Sequence, residues 1–339
     1  MSALGNILGA TILFAIPLLL VAIGGMYSER SGIINIALEG IMIIGALAGT
    51  LTIRALSEFQ GELNIGPMLV GGAPMSAQIV VVIAMVAAGA AGIIFSLLLA
   101  FASINLKADQ TIGGTAMNLL APALSIVLTW VFQGQGKTTI NIPDWIRLNA
   151  KVFGVVQQEN FIQNLIFKNL FITTPVAILL FVAAVILMYK TRFGLRLRSC
   201  GEHPQAADSV GINVYKMRYA GVMISGFLAG IGGFAFALAA GGGYQSTVTG
   251  YGFLALAVMI FGNWKPLNIL GASLFFALFR VFGAYAGNLA FIPKINLKGV
   301  DTYFWPALPF VVTMILLILT SKKSRAPKAE GIPYDKSTR

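Results

Sequence analysis

The chain has 339 residues, 57% of them hydrophobic and only 10% charged. A soluble domain carries about 25% charged residues, so this composition excludes an ordinary soluble fold and predicts an all-α, polytopic transmembrane helical bundle. One cysteine, Cys200, and one histidine, His203, exclude an intrachain disulfide and a zinc site of the usual kind, and the net charge of +11 reads as the basic loops of a membrane protein, not as a nucleic-acid surface.

Apolar segments run over 7–26, 33–53, 78–104, 112–133, 171–189, 219–240, 251–263, 267–289 and 304–320, about nine in all within a range of 8–10. No Lys or Arg precedes the first run, so it reads as a retained span, not a signal peptide. The run at 78–104 is long enough to tilt or to continue into a loop. The one at 251–263 is short for a span and reads as re-entrant, broken or tucked inside the bundle. Pro17, Pro122, Pro175, Pro306 and Pro309 fall in spans and are expected to kink or break them. Gly226-x-x-x-Gly230, Gly221-x-x-x-Ser225-x-x-x-Ala229 and the stretch Ala87 to Gly92 offer small-residue faces for close helix approach.

Charge sets the orientation. The loop 190–218 holds Lys190, Arg192, Arg196, Arg198, Lys216 and Arg218 against Glu202 and Asp208, and the tail after 320 is equally basic. Both read as cytoplasmic, with 27–32, 105–110 and 263–266 on the same side. The loops 54–77 and 134–170 and the N-terminus then lie outside. Residues 1–321 form the membrane domain, and 322–339 a basic tail expected to be disordered near anionic headgroups.

The loop 190–218 contains a short helix signal. Pro204 suits the first helical position and Gly211 the residue past the end, while Glu202 places negative charge before the N-terminus. In the spans, Glu39 stands out, because an ionised acid at mid-helix costs about 2.5–3.5 kcal/mol. Asn35 lies four residues earlier on the same expected face, and Asn118 is a third polar group. These three read as a polar wall of a passage or as an interhelical hydrogen-bond clamp, with the clamp preferred. Gly134-Gln-Gly-Lys-Thr-Thr139 has the end of a phosphate-binding loop but has Val131 where that loop needs its first glycine, and no strand pattern leads into it. It reads as an external turn.

Three stretches together resemble a known family. They are Thr191-Arg-Phe-Gly-Leu-Arg-Leu-Arg198 with Gly201-Glu-His-Pro-Gln-Ala-Ala207, Gly211-Ile-Asn213 and Ser225-Gly-Phe-Leu-Ala-Gly-Ile-Gly-Gly233; then Glu29-Arg-Ser-Gly-Ile-Ile-Asn-Ile-Ala-Leu-Glu-Gly-Ile-Met-Ile-Ile-Gly-Ala46; then Ala108-Asp-Gln-Thr-Ile-Gly-Gly-Thr-Ala-Met-Asn-Leu-Leu120. They are similar to the permease subunits of bacterial ABC importers for simple sugars, nucleosides and branched-chain amino acids, over roughly residues 10 to 320. His203 stands where that family usually has Asn, and Ala37 replaces a glycine. Glu29-Arg-Ser-Gly with Leu38-Glu-Gly-Ile-Met42 looks like the nucleoside-type branch.

The resemblance implies a multi-pass protein of the bacterial cell membrane with a cytoplasmic C-terminus. It implies that Glu202, His203, Pro204, Gln205, Ala206, Ala207, Asp208 and Gly211 form the coupling helix that seats in an ATPase subunit. The chain would then be no enzyme and bind no cofactor, with ATP and Mg on the partner ATPase. The implied partners are ABC ATPase subunits, a second permease chain (expected to be a different one, with a second copy of this chain as the fallback), an external substrate-binding protein and the bilayer. The expected cargo is nucleosides, with simple sugars such as ribose or galactose as the alternative. A proton- or sodium-coupled carrier using Glu39 is a further alternative. A membrane enzyme is disfavoured, since no nucleophile–base–acid set is visible.

Overall fold

The structure, a computed structural model, describes residues 2–63, 69–70, 73–143, 146, 171–285, 307, 310–315, 318 and 325–336. Ten α-helices are present among them. These are α1 (Ser2–Arg30), α2 (Leu38–Leu63), α3 (Met75–Ala100, running on into a π-helical turn at Phe101–Asn105), α4 (Gln110–Gln133) and α5 (Thr173–Lys190). Then come α6 (Arg192–Glu202), α7 (Pro204–Ser209), α8 (Val214–Ala240), α9 (Tyr251–Phe261) and α10 (Pro266–Tyr285). A two-residue antiparallel pair joins Leu69–Val70 to Ala73–Pro74.

Among the described residues, seven helices are long and apolar enough to cross a bilayer: Gly5–Arg30, Leu38–Ser57, Gln78–Asn105, Gln110–Gln133, Thr173–Lys190, Val214–Ala240 and Pro266–Ala284. The sequence leads to about nine. The difference has two causes: α9 has only 11 residues, and most of the segment 304–320 lies outside the described residues. At about 1.5 Å per residue, α9 is roughly 16 Å long, half of a hydrocarbon core about 30 Å thick. It is tucked against α1, α2 and α10.

The helices are layered. In the most apolar window of α1 and of α8, 78% of residues are buried, against 22% in α4 and in α5, so the first pair forms the centre and the second the periphery. Large apolar side chains stand exposed along the outer helices, among them Ile94, Leu119, Val131 and Leu179. Such a surface is unsuited to water and calls for lipid or a partner helix.

The close approach of α8 to its neighbours follows from the small-residue faces. A methyl group on Gly230 would collide with the Ala88 carbonyl oxygen of α3, and one on Gly92 with the Gly226 carbonyl oxygen of α8. Without side chains there, the backbones touch directly, and dispersion contacts replace the hydrophobic drive that lipid cannot supply. Pro17 and Pro122 lie within α1 and α4, which continue through them. Pro175 sits in the first turn of α5, where its missing N–H is no loss. Pro306 and Pro309 lie outside the described residues.

The chain reversals collect at two ends. At one end, Arg30 at the close of α1 reaches Glu202 and the Trp264 carbonyl oxygen, and Lys107 pairs with Asp335 at 2.5 Å. The loops 27–32, 105–110, 190–218 and 263–266 and the tail are thereby gathered on one face, the set that the charge pattern assigns to a common side. At the other end, Ile140 and Tyr244 exchange backbone hydrogen bonds of 2.9 Å, joining the segment after α4 to the loop before α9.

Candidate functional site

The displayed loop begins with a helix that the sequence reading does not name. Thr191 caps α6 by accepting from Gly194 N at 3.2 Å. Gly194, Leu197, Cys200 and Gly201 form its buried stripe, and this three- and four-residue recurrence is the signal that charge-counting hides. After His203, α7 opens on Pro204. Gly211, with φ +83°, ends the turn, and Gly211 N and Ile212 N donate back to Asp208 O and Ala207 O. Asn213 then caps α8 by accepting from Lys216 N at 3.0 Å.

Not all of the expected coupling residues face outward. Glu202, His203, Gln205, Ala206 and Gly211 are exposed, whereas Pro204 and Ala207 turn inward and Asp208 is half-buried. Glu202 does not serve the start of α7 as a free charge; it closes α6 and lies 3.6 Å from Arg30 Nη1. Ser209 and Val210 complete the outward face. Val210 is 75% exposed, a bare apolar side chain that the sequence reading passes over.

The back of the loop is covered by the tail. Residues 325–336 fall in the stretch expected to be disordered, yet here they make specific contacts. Ala329 N donates to Gly201 O at 2.9 Å and Gly331 N to Gly32 O at 3.2 Å. Arg325 N donates to Asn263 Oδ1 at 3.0 Å. Tyr334 packs with Cys200, Ala207 and Val214, its ring edge-on to Tyr215 at 5.4 Å. Burial pushes the Cys200 thiol up to about 11, so it acts as a small packing residue rather than a nucleophile. Arg218, which sequence reading counts as a loop cation, is only 1% exposed and donates from Nη1 to Ile332 O at 3.1 Å. Glu330 meets Glu29, which accepts from Trp264 Nε1 at 2.5 Å. Burial pushes the Glu330 carboxyl up to about 7, opposed by its hydrogen bond with Glu29 and by the charge of Arg30.

The second polar cluster lies inside the bundle. The helix expected over 33–53 begins only at Leu38, and 31–37 is irregular. Irregular backbone at membrane depth requires protein partners, and side chains supply them. Ile34 N donates to Gln110 Oε1 at 2.7 Å. Asn118 donates to Ile36 O and accepts from Gly40 N, both at 2.8 Å. Asn35 donates to Ser225 Oγ at 2.9 Å. Asn35 and Glu39 therefore do not share a helix face. The Glu39 carboxylate points to the start of α9, accepting from Gly250 N at 2.8 Å and Gly252 N at 2.6 Å. An acid at a helix N-terminus satisfies unpaired N–H groups and opposes the helix dipole. All three polar residues thus bond across to neighbouring elements.

Gly134–Thr139 follows α4 and leads to the isolated bridge at Ile140, with no strand–loop–helix arrangement around it among the described residues. It borders a cavity of about 650 Å3 that Arg54, Gln133 and Asn141 also line.

An apolar helical bundle with broken segments clamped in its interior and a short helix displayed at its basic end is built as a membrane transport protein. The chain belongs to the family described as "branched-chain amino acid transport system / permease component", which matches residues 7–321. It is 39% identical to the guanosine ABC transporter permease protein NupQ of Bacillus subtilis, over 99% of this chain and 98% of that one. It is also 39% identical to the nucleoside ABC transporter permease protein NupC of Lactococcus lactis, over 96% of this chain and 95% of that one. No solved structure matches the chain.

Proposed function

We propose that this chain is the membrane-spanning subunit of an ATP-driven importer and that its cargo is nucleosides. The observation that carries the coupling role is the loop α6–α7. Its back is fixed by Cys200, Ala207 and the tail, and its front presents Gln205, Ala206, Ser209 and Val210. A surface held so firmly from behind suits transmission of force from a docked ATPase. The nucleoside cargo rests on the two relatives at 39% identity, whose names give guanosine and nucleosides.

In this reading the basic end is cytoplasmic, and the end with Ser2 and the Ile140–Tyr244 bridge is external. ATP and Mg bind the partner ATPase, not this chain. An external binding protein delivers the nucleoside, and a second, different permease chain forms the other half of the path. Asn35, Glu39 and Asn118 hold the broken segments in place beside that path, and docking through α7 shifts the bundle between outward-open and inward-open states.

Purification of the chain from its native membrane tests this. An ATPase and a second permease are expected to co-purify, and vesicles containing the complex should take up radiolabelled guanosine only with ATP. A chain that purifies alone and carries nucleosides on a proton or sodium gradient overturns the reading.

A further inference from the structure

Two cavities at the basic end of the bundle meet at Arg30 and Lys265. The first, of about 870 Å3, is walled by four cations, Arg30, Lys265, Arg325 and Lys328, against one carboxylate, Glu202. Lys265, Arg325 and Lys328 are exposed, and among the described residues none of them forms an ion pair. Arg30 is partly engaged, with Nη1 3.6 Å from Glu202 and Nη2 donating to Trp264 O at 3.3 Å, while its buried Nε has no partner. The second cavity, of about 460 Å3, is a groove between α5 and α10 with Val185, Tyr189, Pro266 and Leu267 in its walls. The Arg198 guanidinium lies over the Tyr189 ring at 4.8 Å beside it.

A cationic cavity alone attracts any anion, and an apolar groove alone accepts any hydrocarbon. A shared wall selects a molecule that carries both. Arg30 is the last residue of one span and Pro266 the first of another, so the junction lies at the depth of the bilayer headgroups. Basic pockets between helices at that depth hold anionic headgroups.

We propose that this junction is a binding site for one anionic phospholipid, with its phosphate among Lys265, Arg325 and Lys328 and an acyl chain in the groove over Leu267 and Val185. The lipid would join the end of α1, the α9–α10 turn, the tail and, through Glu202 and Arg198, the displayed loop. Lipid capture here needs neither a nucleoside nor an ATPase, so it stands or falls separately from the importer reading.

Native mass spectrometry of the full-length protein in neutral detergent, titrated with phosphatidylglycerol or phosphatidylcholine, provides the test. Phosphatidylglycerol is expected to be retained at lower concentration, and inorganic phosphate should not displace it. Each exposed cation removed should weaken retention about fivefold, so Lys265→Gln with Arg325→Gln should weaken it roughly 25-fold. Leu267→Ser should weaken it as well, and Lys137→Gln, at the opposite end, should not. Equal retention of the two lipids by the unaltered protein overturns the proposal without recourse to any variant. So does unchanged retention in the double variant, or displacement by inorganic phosphate with no effect of Leu267→Ser, which would mark a site for free anions.

Discussion

Glu39 receives two backbone N–H groups at the start of α9, and that geometry fixes what its replacements do. Glu39→Gln keeps one of the two acceptor oxygens, turns an amide N–H toward the other backbone donor and loses the charge facing the helix dipole, an expected loss of about 1–3 kcal/mol. Glu39→Leu leaves two buried donors unmet, at about 1–3 kcal/mol each. Thermal unfolding in detergent should rank the variants in that order, and ATP-driven uptake should survive the glutamine change. Abolished uptake with an unchanged Tm would instead put Glu39 in the path of the cargo or of a coupled proton. Val210 is the complementary case. Its exposure predicts that Val210→Asp leaves Tm within about 0.5 kcal/mol equivalents yet lowers ATPase co-purification several-fold; undiminished co-purification would remove Val210 from the docking face. Pro204 and Gly211 were legible in the sequence because caps are local chemistry. Glu202 and Arg218 were not, because the groups they meet, Arg30 and Ile332, are distant in the chain.

The element that departs furthest from expectation is the strap 325–336. Its composition is that of a solvated tail, since its few apolar residues carry no period. Its contacts come from single residues placed on separate elements: Ala329 on the α6 end, Ile332 on Arg218, Tyr334 on the loop core. Glu330 makes this docking pH-dependent. Its carboxyl rises from 4.5 to about 7 in the docked state, so the protonated form favours docking. That stabilisation is complete below the free value of 4.5 and is lost as pH rises through about 7. Protection of the Ala329 amide, its exchange rate compared with the intrinsic rate at each pH, should therefore fall between about pH 6 and 8, and Glu330→Gln should flatten that protection profile. A flat profile in the unaltered protein would count against the Glu29–Glu330 contact. The break before α2 was equally hidden. Residues 33–53 are apolar almost throughout, and hydropathy alone does not distinguish a helix from an irregular stretch whose N–H and C=O groups are met by Gln110 and Asn118.

For the molecule as a whole, class and layering follow from composition and glycine spacing, and the family relation follows from motifs in the most constrained segments: the start of α2, the start of α4 and the loop into α8. What composition does not show is how the loops of one face are tied to one another. The strap does that, and it has a consequence in time. Residues 325–336 leave the ribosome after every segment they bind, so α6 and α7 reach the aqueous phase with Cys200, Ala207 and Val214 uncovered and acquire their backing last. In the importer reading proposed above, a nascent or prematurely terminated chain is then expected to insert in the bilayer without recruiting an ATPase. A chain stopped after residue 324 tests this timing. Normal insertion with lost ATPase recruitment is the expected result, and recruitment at the full-length level would show that the loop is competent before the strap arrives.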